Sequence, residues 1–188
     1  MRFLAFLLLL GATLPAQTFQ ASLLAGINLA QVEGDDLLGF HQPGLNAGAR
    51  VVAVLGEHWR VGPELLFNQQ GARRTRNTTT NSSLDRIRLT TVALPLMAYY
   101  RQHSLEAGAG LSYQRLIDYR LTDRRGNDVT DTETLRSDGL ALHLDASLYF
   151  SERLGFNFRW SRYLTDLQEG TGPRFVPRSL DLRFLYTL

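Results

Sequence analysis

Apolar side chains recur at every second position over most of this chain, and the stretches that carry the pattern are separated by connections that are alternately very short and very long. From Pro43 to Leu55, one face holds Leu45, Ala47, Ala49, Val51, Ala53 and Leu55, and the other holds Gly44, Asn46, Gly48, Arg50, Val52 and Val54. Next, Trp59, Val61, Pro63, Leu65 and Phe67 oppose Arg60, Gly62, Glu64, Leu66 and Asn68. The same alternation sets Leu105, Ala107, Ala109, Leu111 and Tyr113 against Glu106, Gly108, Gly110, Ser112 and Gln114, and it returns over 140–150 and 180–188. A period of two is the mark of a strand with unlike faces. It predicts eight strands, near residues 19–29, 43–55, 59–70, 86–100, 104–118, 136–150, 154–165 and 178–188. The fourth is irregular, because Ile87 and Leu89 are out of phase with Val92, Leu94 and Leu96. A bulge in that strand near Thr90 and Thr91 would restore the phase, since one extra residue moves every later side chain to the other face.

The connections fall into two classes. Gly56-Glu57-His58, Arg101-Gln102-His103 and Ser151-Glu152-Arg153 are tight, whereas 30–42, 71–85, 119–135 and 166–177 are long and polar. An antiparallel, up-and-down, all-β barrel of eight transmembrane strands has this rhythm, with short turns in the periplasm and long loops outside. The third long loop is expected to extend the wall as a hairpin turning at Arg125-Gly126-Asn127-Asp128. Trp59, Tyr99, Tyr100, Phe150 and Tyr186 fall near one set of strand ends and Phe67, Tyr113, Trp160 and Tyr163 near the other, the placement expected of two interfacial girdles.

The first residues support export. Met1-Arg2, the apolar run Phe3 to Leu10 and the stretch up to Ala16 read as a secretory signal covering 1–16, which leaves 17–188 as the barrel domain. Past the signal, no apolar run approaches the roughly 20 residues of a membrane helix. Composition alone, with a formal charge of +2, 20% charged and 44% hydrophobic residues, would suit a soluble domain, so the order of residues rather than their totals carries the assignment. The absence of cysteine excludes a disulfide scaffold and a lipid anchor through cysteine. The expected location is the bacterial outer membrane.

Strand parity places Arg50, Arg60, Arg159 and Arg183 on the inward face, with Glu64, Glu106, Asp145, Asp181 and His143. An eight-stranded barrel has an interior that side chains fill. Four positive and four negative groups there must pair, because an unpaired buried charge costs several kcal/mol. The balance predicts a closed, salt-bridged interior, neither an open pore nor the apolar ligand cavity of a soluble barrel.

Three segments then carry a resemblance. Gly26-Ile27-Asn28-Leu29-Ala30-Gln31-Val32-Glu33-Gly34-Asp35, Pro43-Gly44-Leu45-Asn46-Ala47-Gly48, and Trp59 to Phe67 followed by Gln70-Gly71 resemble the PorT-like family of outer-membrane β-barrels of the Bacteroidetes. Val92-Ala93-Leu94-Pro95-Leu96 is similar to the family's Leu-Glu-Ile-Pro-Leu element, with Ala93 where a glutamate is usual. The resemblance implies the fold and the membrane. A role in protein secretion, known for one relative, is the alternative function it implies.

No residues point to catalysis, a cofactor or a metal. His143, Asp145 and Ser147 share a face at a spacing of two, about 6–7 Å along a strand, wide for a proton relay. A lipid-modifying enzyme using His143 and a narrow pore stand as further alternatives. His41, His58 and His103 lie in loops or turns without ligand spacing, and Asp35-Asp36 and Asp128 to Asp131 read as solvated loop acids. Arg73, Arg74 and Arg76 precede a polar run of Asn, Thr and Ser and are candidates for contact with the phosphates of lipopolysaccharide. The expected partners are membrane lipids and an envelope protein, with no nucleic acid. The expected role is structural or surface-interacting.

Overall fold

The computed structural model describes residues 18–33, 42–73, 84–132, 135–167 and 176–188. Its strands are β1 (Thr18–Glu33), β2 (Gln42–Leu55), β3 (Trp59–Arg73), β4 (Leu84–Gln102), β5 (Leu105–Asp123), β6 (Asp138–Tyr149), β7 (Leu154–Tyr163) and β8 (Val176–Thr187). Each strand pairs antiparallel with the next, and β1 pairs with β8 from Ser22↔Thr187 to Glu33↔Val176, so the sheet closes into a barrel without a free edge. The signal assigned to 1–16 lies outside the described residues.

Parity decides what each face meets. The outward face is apolar and exposed, with Leu96 at 62% and Phe184 at 63%, whereas Arg50, Arg159 and Arg183 inside are at 1% or less. A soluble protein does not expose apolar surface on this scale. The arrangement suits a lipid environment, where closure satisfies every strand's backbone groups. Pro63 and Pro95 lie within β3 and β4, where register pairs are missing opposite Val51 and Val52 and between residues 64–65 and 94–95, as residues without an N–H require.

The structure corrects the reading of the fourth strand. In β4 the odd positions face inward throughout: Ile87, Leu89, Thr91, Ala93, Pro95, Met97 and Tyr99 are all buried. The extra residue sits on the partner strand. Thr90 pairs with Asp118 and Thr91 with Leu116, which leaves Ile117 unopposed in β5 and exposed. Ile87 and Leu89 are therefore not misplaced lipid-facing residues but members of an interior apolar cluster. The same parity removes two aromatics from the expected girdles, because Tyr99 and Tyr163 are buried inside, while Trp59, Tyr100, Phe150 and Tyr186 at the short-turn end and Phe67 and Tyr113 toward the other are exposed.

β4 and β5 are 19 residues each; β4 extends two residues past each expected end, and β5 runs five residues past its expected end at 118. The chain turns where the third long loop was expected to turn, with Gly126 at φ +85°, Gly126 N–H donating to Asp123 O at 3.1 Å and Asp123 N–H donating to Asn127 O at 3.0 Å. The returning arm pairs with β5 over a short stretch, through the bridge Thr122↔Asp128 and the Val129 N–H donating to Leu121 O at 3.0 Å, and then enters a 3-10 turn at Thr130–Thr132. The wall that rises is thus mainly β4 with β5, and the expected hairpin is confined to a short stretch at the tip of β5. At the opposite end the turns are short, and His103 takes φ +57° between β4 and β5.

Candidate functional site

The barrel interior is the densest polar constellation among the described residues. Arg159, on β7, stands in register between Asp145 of β6 and Asp181 of β8. Its guanidinium binds Asp145 at both ends, Nε to Oδ1 at 2.5 Å and Nη2 to Oδ2 at 2.8 Å, and reaches Glu64 of β3 from Nη1 at 2.8 Å. Tyr99 donates its hydroxyl to Glu64 and receives Arg159 Nη2 at 3.4 Å. Arg183 donates to Asn157 Oδ1 from Nε at 2.9 Å and Nη2 at 2.5 Å, and lies 3.5 Å from Asp145. The Asn157 amide donates in turn to Asp145 and Ser147. Planar forks that bridge several strands in this way tie the walls of the barrel together.

A second layer lies nearer the short turns. Arg50 Nη1 pairs with Glu106 at 2.8 Å, Nη2 donates to the Tyr149 hydroxyl at 2.7 Å, and the guanidinium lies 4.7 Å from the centre of the Tyr99 ring. Tyr99, which is fully buried, therefore joins the two layers. Room for these large groups comes from inward glycines: a Cβ on Gly108 would stand 2.3 Å from the Tyr99 ring, and one on Gly110 would stand 2.5 Å from Met97 Sδ. Ala93, in the position where the resembling family has glutamate, is fully buried with Leu24, Leu66, Tyr149 and Leu185. A carboxylate there would have no cation within this apolar group.

The expected balance of four against four is not what the interior holds. Arg60 faces inward but sits partly exposed at the short-turn rim, bonded to His58 O at 3.4 Å, and no ion pair joins it to a carboxylate among the described residues. The buried set is therefore three guanidiniums, Arg50, Arg159 and Arg183, against four carboxylates, Glu64, Glu106, Asp145 and Asp181. The excess falls on Asp181. It is 3% exposed, its Oδ1 has no hydrogen-bond partner, and Arg159 beside it is committed to Asp145 and Glu64. Asp181 borders a cavity of about 10 Å³ shared with Asn46, Gln70 and Ser179, room for a single water by the usual measure.

His143 does not engage Asp145. Its ring nitrogens lie 2.8 Å from Ser161 Oγ and 2.6 Å from Ser112 Oγ, and at 3% exposure it is shut inside the wall. Above it, toward the long loops, the interior turns apolar. Ile87, Leu89, Leu121, Ala141, Tyr163 and Leu167 form one buried cluster, joined by Val129 and Leu135 from the β5–β6 connection. Arg136 N–H donates to Leu167 O at 2.7 Å and ties that connection to the one after β7. Strand parity alone does not reveal this plug, because Leu121, Leu167, Val129 and Leu135 fall in expected loops and Ile87 and Leu89 read as outward in β4.

Of the proposed phosphate-contacting residues, Arg73 ends β3 in register with Arg86, and Arg74 and Arg76 lie outside the described residues, as do His41 and Asp35-Asp36. The Asp128 carboxylate accepts from Thr130 N–H at 3.0 Å and lies 3.6 Å from Arg120; those hydrogen bonds from Thr130 hold its pKa below the usual aspartate value. His58 packs on Tyr100, ring centres 5.3 Å apart.

A family model described as "Outer membrane protein beta-barrel domain" matches residues 15–169. Among solved structures, Ail, the attachment invasion locus protein of Yersinia pestis, is similar at TM-score 0.53 and 12% identity, over 90% of this chain and 98% of that one. Its complex with the heparin analogue sucrose octasulfate is similar at TM-score 0.52 and 9% identity, over 90% and 99%. Neisserial surface protein A is similar at TM-score 0.53 and 12% identity, over 93% and 100%. At such identities the likeness is one of fold. No curated protein matches the sequence.

Proposed function

Because the chain belongs to the outer membrane protein beta-barrel domain family, we propose that it is a non-catalytic outer-membrane barrel, exported behind its N-terminal signal, that acts as a rigid anchor presenting the long loops at the cell surface. The observation that carries this reading is the double closure of the interior, by the Arg159 lattice at mid-barrel and by the apolar plug around Leu121 and Leu167 at the long-loop end. Among the described residues such a barrel spends its polar interior on cohesion, and both layers fill the lumen. Recognition then rests with the loops, where surface proteins concentrate their variable chemistry. Lipopolysaccharide and an envelope protein are the partners this reading assigns to them. Purified protein in planar bilayers is expected to give no conductance steps; reproducible steps in the wild type would overturn the closed-barrel reading.

The PorT-like secretion role is the alternative within the same family. It requires stable envelope partners, and crosslinking in intact cells followed by heat-modifiable gel analysis separates the two: a discrete crosslinked assembly favours secretion, a monomer favours the anchor.

A further inference from the structure

All 20 basic residues of this chain are arginine and none is lysine. On the outer wall of β3, β4 and β5 they meet in an arrangement that ordinary sheet packing disfavours. Arg88 of β4 lies directly opposite Arg120 of β5, both exposed and outward, and like charges in direct register destabilise a sheet. On its other side Arg88 is opposite Gly71, which has no side chain to cover it. Two positions further along β4, Arg86 is opposite Arg73, so the register brings the start of the basic loop to the same wall. Arg86 has a buried Nε without a hydrogen-bond partner, and among the described residues no salt bridge joins Arg88 to a carboxylate. Acids near this face include Asp118, opposite Thr90, and Asp128, which lies 3.6 Å from Arg120 in an exposed contact.

The height of this patch suits a lipid headgroup. On this wall the last outward apolar residues are Phe67 and Val92, in one row, and Ile117, two residues beyond Arg115 on β5. Arg88 lies four residues beyond Val92, about 13 Å along the strand at roughly 3.4 Å per residue, or about 10 Å along the membrane normal for a tilt near 40°. That is just above the hydrocarbon, facing lipid rather than the barrel axis.

Resting on the surface-anchor reading, we propose that Arg86, Arg88 and Arg120 form a phosphate clamp for the bis-phosphorylated glycolipid of the outer leaflet. Guanidinium forks bind phosphate in two-point fashion, and a doubly phosphorylated headgroup relieves the Arg88/Arg120 repulsion that the fold otherwise carries. The extended β4–β5 wall then grips the membrane's outer edge.

The test is native mass spectrometry of the detergent-purified full chain titrated with bis-phosphorylated lipid A, with monophosphoryl lipid A and phosphatidylglycerol in parallel. The wild type is expected to form a one-to-one adduct with bis-phosphorylated lipid A, at least tenfold more tightly than the Arg88→Gln/Arg120→Gln variant, and with monophosphoryl lipid A in between. Arg153→Gln, at the short-turn end, is expected to bind as the wild type does. The Arg88→Lys/Arg120→Lys variant keeps the charge and is expected to bind more weakly than the wild type, which tests the fork should the glutamine variant fail its boiling-shift check for folding. Equal binding by wild type and a folded double variant, or equal binding of phosphatidylglycerol, would overturn the clamp. Neither result bears on conductance, so the closed-barrel reading stands or falls separately.

Discussion

Asp145 and Asp181 flank the same arginine in register, and replacing each in turn by asparagine makes the same chemical change with opposite expected consequences. Either substitution removes one of four buried carboxylates and leaves three against three guanidiniums. If net charge ruled, the two variants would behave alike. Contacts separate them. Asp145 receives Arg159 at 2.5 and 2.8 Å, Asn157 at 3.2 Å and Arg183 at 3.5 Å, and an amide in its place turns an NH2 toward guanidinium donors. Breaking a buried ion pair from one side costs about 3–5 kcal/mol. Asp181 Oδ1 has no partner, and its charge is the unmatched one. Neutralising it removes a desolvation penalty and is expected to leave stability unchanged or raise it by about 1–2 kcal/mol. The two variants should thus differ by at least about 3 kcal/mol. With a urea slope of roughly 2 kcal/mol/M, their midpoints should lie about 1.5 M or more apart. Urea titration of vesicle-embedded protein, followed by tryptophan fluorescence and by the boiling-dependent gel shift, reads this directly. Equal destabilisation by the two variants would refute the assignment of the excess charge to Asp181.

Gly108→Val places a branched side chain against the Tyr99 ring and is expected to cost about 1–3 kcal/mol by overpacking, read in the same titration. Ala93→Glu, the change toward the resembling family, buries a fifth carboxylate beside Leu24, Leu66 and Leu185 and is expected to cost several kcal/mol or to abolish the gel shift. At the tip of the β4–β5 wall, the Asp123 carboxylate accepts the backbone N–H groups of Asn127 and Arg125, both at 2.8 Å, and the Asn127 bonds hold its pKa below the usual aspartate value. A depressed folded-state pKa means that its contribution to turn order is present above the ordinary value of about 3.9 and is lost as pH falls through the folded one. Amide exchange at Asn127 should accordingly rise below about pH 4 in the wild type, and should be fast and independent of this step in Asp123→Ala.

Most of the barrel was legible because a lipid-facing strand with a polar interior leaves two unlike faces on one chain. The pattern of β2, β3, β6 and β8 needed no more than parity, and Arg50, Glu64, Asp145 and Arg183 followed from it. Parity fails where the interior itself changes character. Near the long-loop end the inward face becomes apolar, so Ile87 and Leu89 looked like lipid-facing residues out of phase, and the bulge was placed on β4 instead of opposite, at Ile117. The same uniform phase, followed along β4, would have put Tyr99 inside. Height along the barrel is the other quantity that spacing does not encode. Arg60 has the parity of a network member, but as the second residue of β3 it sits partly exposed at the short-turn rim and bonds His58 O. Which acid each arginine chooses depends on reach across the lumen: Arg50 stands in register with Glu64 yet bonds Glu106.

Closure of the sheet through β1 and β8 joins residues at the two ends of the chain, and the Ser22 and Thr187 hydroxyls that meet across that seam at 3.3 Å are 165 positions apart. Long separations of this kind are paid in loop entropy before any contact repays them, which makes folding slow. Until β8 arrives, β1 and β7 both present unpaired backbone, a state that hydrocarbon penalises and that favours pairing with another chain. Nor is the lattice complete before then, since Arg183 comes in with the last strand. Closure therefore rests on β8, which completes both the seam with β1 and the contacts of Arg183 with Asp145 and Asn157.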